Sequence, residues 1–169
     1  MSEMKTNVMR ILEKENIHYR AYHYEHKDGR IDGASVAKKM GQDPRRVFKT
    51  LVTRGTANQG KSYFVFVIPV EQELDLKRAA KAVGQKAVEM IHVNEINGVT
   101  GYIRGGCSPV GMKKPYPTVL DSSAQALESI IVSAGKIGFQ VELAPEDLIK
   151  LIGASYGEIS YGEGSQKEV

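Results

Sequence analysis

Residues 47–70 read VFKTLVTRGTANQGKSYFVFVIPV. Val47–Thr53 and Tyr63–Val70 are runs of β-branched and aromatic residues, and the glycine-bearing segment RGTANQGKS separates them, so the stretch predicts two strands joined as a hairpin. In the first run a period of two places Val47, Lys49 and Leu51 on one face and Phe48 and Val52 on the other. Both faces are mostly apolar, as in a buried strand, yet a lysine sits inside it. Lys49 has two readings. It is an edge lysine that blocks aggregation or snorkels to water, or it is an ammonium at a cleft wall, aimed at a phosphate, carboxylate or carbonyl oxygen. Thr50 points the other way, so a site shared with Lys49 needs a twist or a bulge.

Helices are predicted on either side of this hairpin. Val8, Ile11 and Leu12 share a face behind Thr6 or Asn7 as cap, giving a helix over 7–16. Ser35–Met40 forms a short helix stopped by Gly41, and Asp43-Pro44 opens a further turn. Asp75 caps Leu76–Val83, which Gly84 ends, and Pro145 opens PEDLIKLIG. Further strands are predicted at Tyr19–Tyr24, Lys86–Met90, Gly101–Arg104, Thr118–Asp121, Ile130–Ser133 and Phe139–Leu143. Strands adjacent in sequence argue for antiparallel pairing, and the scattered helices for an α+β fold. Many short strands suggest a strongly curved or barrel-like sheet, because closure removes exposed edges. The expected organisation is one domain over residues 1–160, with a frayed, flexible tail from about Ser160 through 161–169.

Composition narrows the class. The 169 residues are 41% hydrophobic and 25% charged, which is ordinary for a globular protein. The longest apolar run, Tyr63–Val70, is far too short to span a bilayer, and charges interrupt the N-terminus where a secretory signal needs an apolar core. A single cysteine excludes an internal disulfide framework and a zinc-thiolate cluster, so a reduced, cytoplasmic setting is expected. A net charge of +3 permits a polyanionic partner without demanding one.

Chemistry concentrates in GYIRGGCSPVGMKK, residues 101–114, and SAGKIG, residues 133–138. The first lacks the G-x-x-x-x-G-K-[ST] order of a phosphate loop. Gly105 and Gly106 either make a turn or let backbone approach a ligand, and the Ser133 loop offers the same alternatives. Cys107 as a nucleophile needs a base, and His18, His23, His26 and His92 are all remote in sequence. A lone cysteine is more often a small buried hydrophobe. HYEH, residues 23–26, is a poor metal pair because positions three apart on a strand face opposite ways. The basic residues Lys38, Lys39, Arg45, Arg46, Lys77, Arg78, Lys81, Lys113 and Lys114 are either a solvated face or, if they meet in space, a footprint for a phosphate backbone.

Taken together, YEH (24–26), VFKTLV (47–52), ELDLKRAAKAVG (73–84), KAVEM (86–90), TGYIRGGCSPVGMKK (100–114), PTVLD (117–121), SAGKIGF (133–139) and VELAPEDL (141–148) resemble the YbaK/EbsC family. That family is related to the editing domain inserted in bacterial prolyl-tRNA synthetases. The resemblance runs from Thr6 to Ile159. It implies a mixed, barrel-like β-sheet flanked by helices, and an enzyme that deacylates mischarged tRNA in trans. The substrates it implies are Cys-tRNA(Pro) and Cys-tRNA(Cys). It also implies no cofactor, no metal and no membrane, with prolyl-tRNA synthetase as a recruiting partner. The family's catalytic lysine falls on Lys49, and its substrate-binding positions on Tyr24, Thr50, Gly105, Gly106, Ser133, Gly135 and Lys136. In this chemistry the substrate's own thiol attacks its ester, and the protein orients it. By this reading the Gly105–Gly106 pair matters because a side chain there would fill the aminoacyl pocket, and Cys107 is incidental. The chain departs from the cysteine-specific pattern at Gln140, where those members carry an acid, and at Ala134, where they carry glycine. The family's pocket phenylalanine is replaced by Ile31 or Asp32. These departures leave Ala-tRNA(Pro), or another small aminoacyl-tRNA, as an alternative substrate. A non-enzymatic tRNA- or nucleotide-binding regulator is the alternative from a different class.

Overall fold

The computed structural model describes residues 4–162. In chain order the elements are α1 (Asn7–Lys14), β1 (Arg20–His23), α2 (Gly33–Lys39), β2 (Phe48–Gly55), β3 (Tyr63–Pro69), β4 (Glu73–Leu74), α3 (Leu76–Ala82), β5 (Val88–Met90), α4 (Ile96–Thr100), β6 (Thr118–Asp121), β7 (Ile130–Ser133), β8 (Phe139–Leu143), α5 (Pro145–Ile152), β9 (Ser155–Gly157) and β10 (Ser160–Tyr161). This is the expected α+β class.

Local chemistry sets the helix starts. Thr6 Oγ1 accepts from the Met9 amide at 3.2 Å, Asp32 Oδ2 from Ser35 at 3.1 Å, and Asp75 Oδ1 from Lys77 and Arg78 at 3.1 Å each. Each cap satisfies otherwise unpaired N–H groups and contributes about 1 kcal/mol. Asp32 starts α2 two residues earlier than the expected Ser35. The αL residue Gly153 ends α5.

The predicted hairpin is present. β2 pairs antiparallel with β3 from Phe48↔Pro69 to Arg54↔Tyr63. The strands form three sheets, ordered β5-β2-β3-β6-β9, β1-β8-β7 and β10-β4. Pairing is not all antiparallel: β3 with β6 and β6 with β9 run parallel. The expected barrel stays open, for among the described residues no sheet closes on itself. Among the described residues a single parallel bridge, Val47↔Ile131, joins the two larger sheets. Gly101–Arg104, expected as a strand, is loop. Gly101 has φ +87° as the cap of α4, and Tyr102 is anchored through side chains, its amide donating to Thr100 Oγ1 and its hydroxyl to the Val110 carbonyl. Ser160 and Tyr161, expected to fray, pair with Leu74 and Glu73 as β10. The rest of the expected tail, 163–169, lies outside the described residues.

β3 is the centre of the core. Val65 and Val67 pack with α1 (Val8, Met9, Leu12) and with Val132 and Val141 of the smaller sheet. On its other face Phe64, Phe66 and Ile68 pack with Ala79 and Ala80 of α3. Cover on both faces is why the run FVFVI contains no polar residue.

Candidate active site

The gap between the two larger sheets is a consequence of how β2 is paired. One edge of β2 is bonded to β3 along its length. Among the described residues its other edge is paired only at the two ends, with Ile131 beside Val47 and with β5 and Ile91 from Val52 onward. The Val47 carbonyl accepts from the Val70 amide and the Gly55 amide donates to the Ser62 carbonyl, both on the β3 side. By the alternation of an antiparallel ladder, Thr50 turns its N–H and C=O groups, and Phe48 its C=O, to the open edge, while the Phe48 N–H is taken up by the parallel bridge to Ile131. A cleft of about 390 Å³ lies there, lined by residues 47–51, Tyr24, Ile31–Ala34, Val36, Val70, Arg104, Gly105, Cys107, Ser133 and Gln140. Lys49 and Thr50 both reach it, with no bulge required, because the cleft runs along the edge of the strand rather than over one face.

The second wall is the smaller sheet. Gln140 lies between Tyr22 on β1 and Ser133 on β7 in the ladder. Tyr24 continues from β1, its amide donating to the Gly138 carbonyl at 2.9 Å. Tyr24, Ser133 and Gln140 are 3%, 8% and 7% exposed. Tyr24 Oη, Thr50 Oγ1 and Gln140 Oε1 are buried without a hydrogen-bond partner among the described residues. All three belong to this one cleft. Leaving a polar atom buried and unpaired costs about 1–3 kcal/mol, so a concentration of them in one place marks a site built for a ligand.

Charge is also left unpaired here. Lys49 is half-buried, and among the described residues no carboxylate forms an ion pair with it. Asp32, in the same lining, is engaged as the α2 cap, and hydrogen bonds from the Ser35 hydroxyl and amide hold its carboxyl below the usual range. Burial pushes the Cys107 thiol up to about 11, against a weaker opposing hydrogen bond with Thr100. At neutral pH it is a protonated thiol with little nucleophilic character.

The glycines divide. Gly105 has φ +86°, and a Cβ there would meet Ile31 Cδ1 at 2.7 Å, inside the cleft. Gly106 lies outside the lining; its Cβ would meet the Ile137 amide nitrogen at 3.1 Å, so it seats the 104–107 loop on the 133–138 loop. Gly135 has φ +89° and packs against Tyr102 and Val8. Its amide donates to Ser133 Oγ at 3.1 Å. Lys136 is exposed, its ammonium 5.7 Å from the Phe139 ring centroid. The structure thus gathers Tyr24, Lys49, Thr50, Gly105 and Ser133 around one cleft and leaves Gly106, Gly135 and Lys136 behind it. It adds Arg104, which no sequence pattern singles out. Gln140 is visible in the sequence only as a departure. Ala134, the other departure, is fully buried in the core.

His23 stacks edge-on against Phe139, and His26 packs beside Gly138. Among the described residues no group of three or more His, Cys, Asp or Glu is placed to hold a metal ion, and no helix is long and apolar enough to cross a membrane. Several of the basic residues are held in ion pairs within the chain: Lys39 with Asp28, Arg45 with Asp43, Arg46 with Glu142 and Arg78 with Glu158.

The cleft thus holds unpaired polar groups and a lysine between two open sheets. Residues 32–151 match the aminoacyl-tRNA editing domain family. The chain belongs to this family and is an editing enzyme. It is 47% identical over 162 residues, 96% of its own length and 97% of the relative's, to the Enterococcus faecalis protein named "Putative Cys-tRNA(Pro)/Cys-tRNA(Cys) deacylase EbsC". Among solved structures, one described as "a putative trans-editing enzyme for prolyl tRNA synthetase" superposes with a TM-score of 0.78 at 24% identity, covering 92% of this chain and 95% of that one. Another, "hypothetical protein APE2540", gives 0.81 at 22% identity over 91% and 99%. At these identities the two structures speak for the fold alone.

Proposed function

We propose that this chain is a trans-acting deacylase that clears Cys-tRNA(Pro), and Cys-tRNA(Cys), by attack of the substrate's own thiol on its ester. The observation that carries the reading is the set of unpartnered polar groups, Tyr24 Oη, Thr50 Oγ1 and Gln140 Oε1, sharing a cleft with Lys49. Such a set suits an aminoacyl end rich in donors and acceptors. The protonated Cys107 thiol favours a nucleophile supplied by the substrate.

In this mechanism the substrate thiol loses its proton to solvent and its sulfur attacks the ester carbonyl carbon. The carbonyl electrons move onto oxygen, where Lys49 and the Thr50 amide on the open edge of β2 stabilise the charge. On collapse the bond to the ribose oxygen breaks, and that oxygen takes the electron pair and a proton. The products are free tRNA and a four-membered thiolactone, which water opens. Orientation of two groups already in one molecule supplies a large part of the rate, since effective molarities reach about 10⁵–10⁸ M in well-aligned cases. The partners are tRNA and, for recruitment, prolyl-tRNA synthetase. A small domain with a net charge of +3 has little surface for reading a whole tRNA. The setting is the cytoplasm, and the working unit is the single domain 1–160.

The test is deacylation of labelled Cys-tRNA(Pro) and Ala-tRNA(Pro) side by side, with mass spectrometry of the released acyl product. Clearance of Cys-tRNA(Pro) with transient thiolactone supports the mechanism. Clearance of Ala-tRNA(Pro) alone transfers the attack to water. Clearance of neither, with the synthetase present, leaves a binding protein.

A further inference from the structure

Of the three unpartnered atoms in the cleft, Tyr24 Oη and Thr50 Oγ1 belong to hydroxyls, which either donate or accept. Gln140 Oε1 can only accept. Its natural partner is therefore a donor, and among the described residues none is hydrogen-bonded to it. Gln140 is 7% exposed, sits in the ladder between Ser133 and Tyr22 and lines the cleft, so its side chain belongs to the cleft's inner wall. A substrate entering by its acyl end presents one strong donor at that depth, the α-amino group. The thiol is a weak donor, and the ribose hydroxyl stays with the nucleotide.

We infer that Gln140 is a specificity-determining residue that accepts a hydrogen bond from the free α-amino group of the aminoacyl ester. This rests on the proposed editing reading. It follows that the enzyme acts on aminoacyl-tRNA with a free amine and rejects N-acylated forms, such as formylated or peptidyl-tRNA, although an N-acylated cysteine keeps the thiol needed for attack. A neutral amide in this place reads the amine without adding a charge to the cleft.

The test has two readouts. In turnover, wild type is compared on Cys-tRNA(Pro) and N-acetyl-Cys-tRNA(Pro), together with Gln140→Leu and Gln140→Glu. A hydrogen bond to a charged donor predicts a preference for the free amine of about 10- to 100-fold. Gln140→Leu removes that preference by slowing the free-amine substrate, and Gln140→Glu keeps it, because a carboxylate also accepts. In binding, 3′-alanylamino-3′-deoxyadenosine and its N-acetyl derivative, joined by a stable amide, are titrated by calorimetry. The same pattern is expected there whether or not the ester is turned over, which separates this inference from the proposed reaction. Gln140→Leu breaks no internal hydrogen bond, so its urea midpoint is expected to equal or exceed that of wild type. Equal handling of free and acetylated ligands by wild type, no binding of either, or an undiminished preference in Gln140→Leu overturns the assignment. So does loss of the preference in Gln140→Glu.

Discussion

Arg46, one residue before the bridge that joins the two larger sheets, donates from Nη2 to Oε2 of Glu142 on β8. The same carboxylate accepts from Ser129 Oγ and, through Oε1, from the Tyr22 hydroxyl at 2.5 Å. Two residues along β1 from Tyr22 stands Tyr24, and two residues back along β8 from Glu142 stands Gln140. The carboxylate therefore ties together the chain segments that carry Tyr24, Thr50 and Gln140, whose unpartnered polar atoms share the cleft.

Burial by itself pushes the Glu142 carboxyl up, but hydrogen bonds from Ser129 and Tyr22, with the charge of Arg46, outweigh it and hold the group below the ordinary 4.5. The unfolded chain therefore takes up this proton first as pH falls. The stability from the cluster is complete above about pH 4.5 and is lost as pH drops through the folded-state value. Glu142→Gln is expected to cost about 1–2 kcal/mol at neutral pH, discounted for the partly exposed Arg46. The cost should shrink in acid, read from urea midpoints between pH 7 and 3.

Lys49→Ala is expected to lower the deacylation rate about 100- to 1,000-fold, the usual loss when one stabiliser of a developing oxyanion is removed. The ammonium has no ion-pair partner among the described residues, so the urea midpoint should stay within about 0.5 kcal/mol of wild type. Unchanged turnover would remove Lys49 from the site.

Cys107→Ser is expected to retain deacylation. With its thiol raised to about 11, Cys107 should react slowly with iodoacetamide at pH 7, and faster only as pH climbs toward that value. A thousandfold loss of turnover in the serine variant, or rapid alkylation at neutral pH, contradicts a passive role.

Gly105→Ala is expected to cost about 1–2 kcal/mol from the left-handed backbone alone and to drive Ile31 further into the cleft. Turnover should fall with it. Adding Ile31→Ala removes the steric part and should restore activity in part, while the stability loss remains. Full recovery of both would show that φ at position 105 relaxes without cost.

Short-range chemistry made much of this protein legible from its residues. Asp75 caps its helix as read, and of the two candidates Thr6 and Asn7 the cap is Thr6, because a cap needs only a side-chain oxygen within three residues. The 47–70 hairpin and the buried β3 follow from β-branched content on both faces of the strand. Lys49, Tyr24 and Ser133 were brought out as a site by family resemblance, since no local pattern links positions 24, 49 and 133. Pairing partners were harder. The parallel joins of β3 to β6 and of β6 to β9 set together residues some fifty and thirty-six positions apart, as in Phe66↔Val119 and Leu120↔Tyr156. The strand at Gly101–Arg104 was lost because αL glycine and the anchoring of Tyr102 override a β-like composition.

The tertiary structure alone decided where β2 would be left unpaired. Side-chain period tells which face of a strand is covered. Hydrogen bonding to a neighbour acts through the backbone at right angles to that period, and every residue carries the same backbone groups. The open edge at Thr50, and the burial around it of Tyr24 Oη, Thr50 Oγ1 and Gln140 Oε1 without partners among the described residues, therefore exist only once the two sheets have met at Val47 and Ile131.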